Sequence, residues 1–233
     1  MALSSPFEGV YERMGAAFAD YDGWRLPKDF GDPAAERAAL ENSSAAFDLS
    51  SFGRIAVKGP GIENLMGALL CQSHERAADE QWCWTAAAAD LTLLRIGSVK
   101  GGCLVLTPPS QRLDLLKNMQ ALAASMQLAE VSIADLTEKT GMMGIYGPNA
   151  FEAVTRILPF DLSGIKAGGV RVMSFFMINI TILRGAWTGG DGVELICPAS
   201  AANLAAGAIA KYRQRENIVP AGMDCLMAAV RKT

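Results

Sequence analysis

The chain has 233 residues, of which 51% are hydrophobic and 19% are charged, and its formal net charge is -3. This composition is typical of a globular protein with a sizeable core, and it excludes a disordered chain. Because there is no concentration of basic residues, nucleic acid is not expected as a partner.

The N-terminal segment, MALSSPFEGVYERM, has neither the basic nor the apolar region of a secretory signal. The longest apolar runs, residues 172–183 and 199–210, are too short to span a bilayer. The five cysteines, Cys71, Cys83, Cys103, Cys197 and Cys225, form no CxxC pair. This spacing favours reduced core thiols over a disulfide framework or a zinc site. We therefore expect a soluble cytoplasmic protein with no metal site and no membrane partner.

The first predicted elements follow a short amphipathic start. Residues 15–31, GAAFADYDGWRLPKDFG, are dense in turn residues and aromatics. A helix is predicted over residues 33–46, because Asp32 is suited to the N-cap and Pro33 to the first helical position.

An internal repeat then divides the chain. Residues 57–70, VKGPGIENLMGALL, correspond to residues 145–158, IYGPNAFEAVTRIL. Each segment reads as the end of a strand, a Gly-Pro turn and a helix with apolar positions at helical spacing. A second pair, LVLTPPS at 104–110 and ELICPAS at 194–200, precedes a helix in each case.

The two matched pairs predict the fold class. Each half reads strand, helix, strand, strand, helix, which is close to a split βαβ (ferredoxin-like) unit. The prediction is therefore an α+β protein made of a duplicated unit, with mainly antiparallel sheets and helices packed on their faces. A strand at residues 129–135 lies in the connection, which has no low-complexity linker. We expect one unit of two interlocked lobes, about 1–140 and 141–233.

Residues 179–198, NITILRGAWTGGDGVELICP, predict a strand, a glycine-rich turn and a second strand. Glu194 lies in the second strand among Val193, Leu195 and Ile196. A carboxylate buried there without partners would cost several kcal/mol. Glu194 is therefore either on a solvated face or reserved for a ligand, and strand alternation alone does not decide between these.

Several segments in this order and spacing resemble the folate-binding portion of the glycine cleavage T-protein (aminomethyltransferase, GcvT-like) family. They are GAAFADYDGWRLPKDFG, AAFDLSSFGRIAVKGPG, IYGPNA, WTGGDGVEL and VPAG, within about residues 15–225. The resemblance implies the GcvT-type folate-binding fold, a role in one-carbon metabolism, and tetrahydrofolate or a related folate as cofactor. The C-terminal barrel domain of full-length members has no counterpart before Thr233.

The resemblance also implies site residues, position by position. Glu194 matches the glutamate that grips the pterin, where a carboxylate offers two acceptor oxygens to two adjacent N–H donors. Trp187 replaces a motif tyrosine and keeps an aromatic wall for the pteridine. Thr107 stands where the family has an asparagine, and it completes the expected cofactor-binding set.

Other positions depart from the family pattern. Ala89 in AAAADLTLL stands where the family has its functional aspartate, so the catalytic residue is unknown. Asp90 is adjacent, but successive strand residues point to opposite faces, so it is a weak substitute. Leu226 replaces a family arginine, for which Arg184, Lys211 or Arg231 could compensate.

Aromatic and histidine residues outside these motifs are interpreted as structural. His74, the only histidine, lies in a polar stretch and is expected at the surface. Trp82 and Trp84 alternate around Cys83, so they are expected to share a strand face and line the core or a pocket.

Three functional hypotheses remain open at the level of sequence. The first is an aminomethyltransferase-type enzyme, and the second is a folate-binding module without chemistry of its own. The third is a non-catalytic subunit of a heteromeric complex, similar to the small subunit of sarcosine oxidase. In that case a protein partner or a second copy would cover apolar surface that the barrel covers in full-length members.

Overall fold

The computed structural model describes residues 2–70, 80–87, 93–175 and 177–230. Two compact units emerge: residues 1–51 group with residues 139–233, and residues 52–138 form the other unit. The predicted lobes of about 1–140 and 141–233 therefore differ from the compact units, because the N-terminal segment supplies a strand to the sheet built by the second half. None of the described helices is long and apolar enough to cross a membrane.

The first stretch of the chain contains four strands and two helices. They are β1 (Leu3–Ser4), α1 (Glu8–Arg13), β2 (Ala17–Tyr21), β3 (Trp24–Asp29), α2 (Pro33–Asn42) and β4 (Ser44–Asp48). Asp32 caps α2 as predicted, since its Oδ1 accepts a hydrogen bond from the Ala35 N–H at 3.0 Å. The predicted helical end at residue 46 is wrong, because residues 44–46 pair with other strands as part of β4.

The described residues of the middle unit form five strands and two helices. They are β5 (Gly53–Lys58), α3 (Ile62–Leu69), β6 (Trp82–Ala86), β7 (Leu93–Val99), β8 (Gly102–Thr107), α4 (Arg112–Ser125) and β9 (Ser132–Asp135). The sheet order is β6-β7-β8-β5-β9, and every neighbouring pair is antiparallel. The core packs α3 and α4 against one face, with residues such as Ile55, Leu65 and Met119 fully or almost fully buried.

The last stretch repeats this plan and adds two elements. It contains β10 (Thr140–Tyr146), α5 (Ala150–Ile157), β11 (Val170–Phe175), β12 (Ile178–Arg184), β13 (Gly192–Pro198), α6 (Ala202–Tyr212), β14 (Ile218–Pro220) and α7 (Met223–Val230). The six-stranded sheet has the order β11-β12-β13-β10-β4-β14, in which only β14 is parallel to its neighbour. A third sheet joins β1, β3 and β2.

The α+β class and the repeat are confirmed, with one correction to the strand count. Both Gly-Pro turns connect a strand to a helix, and both Pro-x-Ser segments precede one, as predicted. In the described part of each half, three strands lie between the helices where the sequence predicted two, because a further hairpin strand, β6 or β11, pairs at the sheet edge.

The strand that precedes each half in the sequence pairs with the sheet of the other half. β4 pairs with β10 of the second half, and β9 pairs with β5 of the first half. Both exchanged strands end in an aspartate that accepts a backbone N–H two residues later. The Asp48 Oδ1 accepts from Ser50 at 2.9 Å, and the Asp135 Oδ1 accepts from Thr137 at 2.9 Å. The repeat therefore extends upstream of the Gly-Pro turns, into Asp-Leu-Ser and Asp-Leu-Thr.

Candidate functional site

Glu194 occupies the middle of β13, between two neighbouring strands. Gly144 of β10 and Leu183 of β12 lie directly opposite it. Its neighbours Val193 and Leu195 belong to the core that packs on the helices, so Glu194 projects from the other face of the sheet. Its exposure is 0%, so the solvated-face interpretation is wrong.

Tyr146 supplies a direct partner for this buried carboxylate. Its hydroxyl donates a hydrogen bond to the Oε1 of Glu194 at 2.7 Å, and its ring is fully buried. The Phe47 ring lies against it with a centroid distance of 5.5 Å. Hydrogen bonds to an ionised group are among the stronger ones in proteins, so this contact holds the carboxylate in place.

Two glycines make room for the Tyr146 ring. A Cβ added to Gly144 would lie 2.9 Å from the Tyr146 ring, and a Cβ added to Gly192 would lie 2.6 Å from it. Real Cβ atoms essentially never come so close to their neighbours. The sequences Gly-Ile-Tyr in β10 and Gly-Val-Glu in β13 therefore place the tyrosine beside the glutamate.

Trp187 lies in the loop that joins β12 to β13, in the same compact unit as Glu194. Its exposure is 5%. The base of the loop is closed by the Gly185 N–H, which donates to the Gly192 carbonyl at 2.7 Å, and by an ion pair of 3.4 Å between Arg184 and Asp191. The predicted strand, turn and strand are confirmed, and the turn spans residues 185–191.

Thr107 ends β8 in the other compact unit, so the structure brings only Glu194 and Trp187 into one unit. The Thr107 side chain is fully buried, and its Oγ1 has no hydrogen-bond partner among the described residues. A buried hydroxyl without a partner is uncommon in folded proteins.

The remaining site predictions divide between described and undescribed residues. Ala89, Asp90, His74 and Arg231 lie outside the described residues. Leu226 is fully buried in α7. Two of the positions that could compensate for the missing arginine, Arg184 and Lys211, are described, and each has contacts of its own. Arg184 pairs with Asp191 and stacks 3.7 Å from the Phe151 ring centroid, and the Lys211 Nζ lies 5.1 Å from that of Tyr212.

Two buried arginines were missed by sequence reasoning. Arg54 in β5 and Arg95 in β7 are both fully buried, on the sheet face opposite the helical core of their unit. The Arg54 Nη1 donates to the Phe52 carbonyl at 2.6 Å. The signal that singled out Glu194, a charged residue inside an apolar strand, is also present in GRIAVK and LLRIG.

Arg95 is held by the tryptophans whose pairing was predicted. Trp82 and Trp84 share a face of β6, with ring centroids 5.6 Å apart and the planes nearly perpendicular. The Arg95 guanidinium carbon lies 4.0 Å from the Trp82 centroid and 5.2 Å from that of Trp84. The tryptophans therefore stabilise a buried cation by cation–π contact, which the sequence did not indicate.

Two cavities in the larger unit have neither Glu194 nor Trp187 among their lining residues. One, of about 520 Å³, is lined by α2, α7 and the β12–β13 loop and includes Arg37, Leu40, Thr188 and Cys225. The other, of about 150 Å³, is apolar and includes Phe160, Leu195 and Leu204. Burial, with a smaller effect of the Glu36 carboxylate, raises the pKa of Cys225 to about 11, so its thiol is neutral near pH 7.

The described cysteines are free thiols, and the described residues contain no metal-binding cluster. Cys103, Cys197 and Cys225 are buried, and Cys83 is half-buried. Within residues 2–70, 80–87, 93–175 and 177–230, no group of three or more His, Cys, Asp or Glu side chains is arranged to hold a metal ion.

The fold and the glutamate hairpin define a class of protein. The family model of the GCVT N-terminal domain matches residues 7–231, so the chain belongs to this family. A crystal structure of the glycine cleavage system aminomethyltransferase T from Bartonella henselae superposes with a TM-score of 0.83 at 18% identity, covering 99% of this chain and 61% of that one. The fold expected from the resemblance is thereby confirmed.

Curated relatives of similar sequence are named aminomethyltransferases. The chain is 27% identical over 231 residues to an aminomethyltransferase of Listeria monocytogenes, which covers 95% of this chain and 60% of the relative. An aminomethyltransferase of Geobacillus kaustophilus is 26% identical and is covered to 62%. The chain thus spans about three fifths of the length of these relatives.

A second solved structure is similar in length as well as in fold. A chain of the heterotetrameric sarcosine oxidase from Corynebacterium sp. U-96 superposes with a TM-score of 0.57 at 14% identity. The match covers 91% of this chain and 94% of that chain. At this identity the likeness concerns the fold alone.

Proposed function

We propose that the chain is a cytoplasmic, tetrahydrofolate-binding protein of one-carbon metabolism with little or no aminomethyltransferase activity of its own. The observation that carries the proposal is the buried carboxylate of Glu194, which lies on the sheet face opposite the helical core and is held by Tyr146. A fully buried charge is costly, so a protein that retains one gives it a compensating network or a ligand.

The chemical groups of the candidate side chains suit a reduced folate. Glu194 offers carboxylate oxygens to the N–H donors of a pterin, and Trp187 offers a buried aromatic ring. A bound folate would carry the one-carbon unit, and the chain's residues would hold and orient it.

The absence of catalysis is proposed from one sequence position. Ala89 replaces the family aspartate, and its methyl group can neither donate nor accept a proton. Purified protein is therefore expected to form no methylene-tetrahydrofolate above background from an aminomethyl donor, in an assay with an active aminomethyltransferase as control. Turnover comparable to that control would overturn this part of the proposal.

Calorimetric titration with reduced folates tests the binding proposal. We expect wild-type binding to be abolished by Glu194→Ala and weakened at least tenfold by Glu194→Gln, because the loss of a charged hydrogen-bond partner removes about 1.5 to 3 kcal/mol. Glu130→Gln is the matched control, since Glu130 is exposed in the other unit. Absence of wild-type binding at millimolar folate, or binding unchanged in Glu194→Ala, would overturn the proposal.

A second candidate function is that of a non-catalytic subunit in a larger assembly. The near-complete mutual coverage with a chain of a heterotetrameric sarcosine oxidase favours it. Light scattering of the purified protein and pull-down from the native source test this candidate. A stable complex with another chain, or a homo-oligomer, would support it, and a monomer that captures no partner would count against it.

A further inference from the structure

We propose that Tyr146 is a positioning residue that fixes the plane of the Glu194 carboxylate and so makes the site selective for ligands with two adjacent N–H donors. This inference rests on the proposed function, because the ligand is the pterin portion of a reduced folate. It concerns a residue that was not among the predicted site residues, although it lies beside a Gly-Pro turn.

The strands bring the two side chains together. In the antiparallel pairing of β10 with β13, Gly144 lies opposite Glu194, and Tyr146 lies opposite Gly192. Tyr146 is thus the diagonal neighbour of Glu194 on the same face, a separation that a long aromatic side chain can bridge. β10 and β13 are both interior strands of the six-stranded sheet, paired on each side, so their relative register is fixed.

The tyrosine ring itself has little room to move. It lies over Gly144 and against Gly192, where added Cβ atoms would come within 2.9 and 2.6 Å of it. Phe47 packs on it from β4, with a centroid distance of 5.5 Å. The hydroxyl is therefore held at a defined point in space before any ligand arrives.

The fixed hydroxyl constrains a torsion that is otherwise soft. The terminal torsion of a glutamate side chain has a broad preference, so a carboxylate without constraints samples many orientations of its plane. A hydrogen bond of 2.7 Å to Oε1 from a fixed donor favours one of them, alongside the other contacts of the buried side chain. A carboxylate fixed in this way is pre-organised for two parallel N–H donors, and pre-organisation increases affinity by lowering the entropy lost on binding.

The test compares two ligands that differ at one group. 6-Methyltetrahydropterin presents an amino group beside a ring N–H, whereas in 6-methyltetrahydrolumazine a carbonyl replaces the amino group. Wild-type protein is expected to prefer the pterin by at least tenfold in Kd, as the loss of one hydrogen bond to a charged group implies. Tyr146→Phe, which keeps the ring and removes the hydroxyl, is expected to lose most of that preference.

Tyr212→Phe is the matched control. Tyr212 ends α6, whose buried residues belong to the core on the sheet face opposite Glu194, and its ring centroid lies 5.1 Å from the Lys211 Nζ and 4.8 Å from the Arg215 guanidinium carbon. Loss of the Tyr212 hydroxyl should leave the preference for the pterin unchanged. A Tyr146→Phe protein that folds like wild type and keeps the full preference would overturn the inference.

A readout without ligand separates this inference from the folate proposal. With glutamate labelled at the side-chain carboxyl carbon, the Glu194 signal is assigned by its loss in Glu194→Gln. Tyr146→Phe should displace this signal and Tyr212→Phe should not, and an undisplaced signal would overturn the positioning role. A displaced signal in a protein that binds neither pterins nor folates would overturn the proposed function and the selectivity, while supporting the positioning contact.

Discussion

The two sheets that carry the repeat share a plan but differ in the charges they bury. β6-β7-β8-β5-β9 and β11-β12-β13-β10-β4 match strand for strand, and each packs helices on one face. On the other face, the five-stranded sheet buries the basic side chains of Arg54 and Arg95, whereas the six-stranded sheet buries the acidic side chain of Glu194.

This difference shows which features of the repeat the backbone requires. The Gly-Pro turns, the Pro-x-Ser segments and the terminal aspartates of β4 and β9 recur because each shapes the main chain. The side chains on the face away from the helices vary. In the matched segments LVLTPPS and ELICPAS, Leu104 stands where the second half has Glu194. Duplication thus kept the scaffold and changed the chemistry of one face.

The largest expected effect concerns the turns that both halves share. Gly59 and Gly147 have φ values of 105° and 122°, and an added Cβ would lie 2.1 Å from the Glu130 carbonyl oxygen and 2.5 Å from that of Ser43. Gly59→Ala and Gly147→Ala should each lower the free energy of unfolding by about 3 kcal/mol or more, since backbone strain and a clash with main-chain atoms add. Urea denaturation measures the loss.

A third glycine provides the control for both turns. Gly67 in α3 has no atom within 4 Å of an added Cβ, so Gly67→Ala should be neutral or stabilise by up to about 1 kcal/mol. If one turn tolerated alanine as Gly67 does, the two turns would not be equivalent.

A smaller loss of stability is expected on substituting the aspartates that end β4 and β9, and it should differ between the two. Asp48 is 2% exposed and bonds the Ser5 hydroxyl, whereas the Asp135 side chain is 16% exposed and pairs with Arg112 at 2.7 Å. Asp48→Asn should lower the unfolding free energy by about 2 kcal/mol and Asp135→Asn by about 1 kcal/mol, because a deeper polar group loses more when its partners are mismatched. Denaturation curves with equal or reversed losses would show that burial does not set the difference.

The contribution of Asp135 to the pH dependence of the unfolding free energy should be smaller still. Burial raises its pKa, but hydrogen bonds from Thr137 and Arg112 outweigh burial and hold the pKa below its ordinary value of 3.8. A depressed folded-state pKa contributes stability above the unfolded pKa that is lost as pH falls through the folded pKa. For a partly exposed pair this contribution should be below about 1 kcal/mol.

Unfolding free energies of wild type and Asp135→Asn, measured from pH 7 down to pH 3, check this sign. The difference between the two proteins should be largest near neutral pH and shrink below the ordinary Asp pKa. Asp114→Asn is the control, because its side chain is 81% exposed. A difference that grew as pH fell would contradict the assignment.

The smallest effect is expected at Thr107, whose counterpart in ELICPAS is Cys197. Thr107→Val removes a buried hydroxyl that has no partner in the described part of the chain, so it should stabilise the protein by about 0.5 kcal/mol. Cys197→Val in the other half, which replaces a buried thiol, should have a similarly small effect. A loss above 1 kcal/mol in thermal unfolding of Thr107→Val would reveal a partner for the hydroxyl.

The sequence predicted the local elements of the fold well. Positive-φ glycines, a proline and a helical pattern are signals contained within a dozen residues, which is why the Gly-Pro turns, the Asp32 cap and the Glu194 hairpin were found. β4 was assigned to the end of a helix because SSAA is compatible with one, and only its pairing with β10, about 100 residues later, makes it a strand.

The site was less predictable, because it also depends on contacts between strands that are far apart in the sequence. Alternation left the Glu194 side chain either solvated or buried, and burial depends on what covers the sheet. The partnership with Tyr146 depends on the register of β10 against β13, which no pattern within either strand specifies. Arg54 and Arg95 carried the same local signal as Glu194, so the sequence could have identified them as buried charges.

The exchange of leading strands has a consequence for the order of folding during synthesis. β4 emerges from the ribosome long before β10 exists, so residues 44–48 must wait as an unpaired segment while nearly 100 further residues are made. Residues 52–138 contain every strand of their own sheet and can form without delay. Pairings this distant in sequence form slowly, so the nascent N-terminal strand is the part of the chain most in need of protection from aggregation.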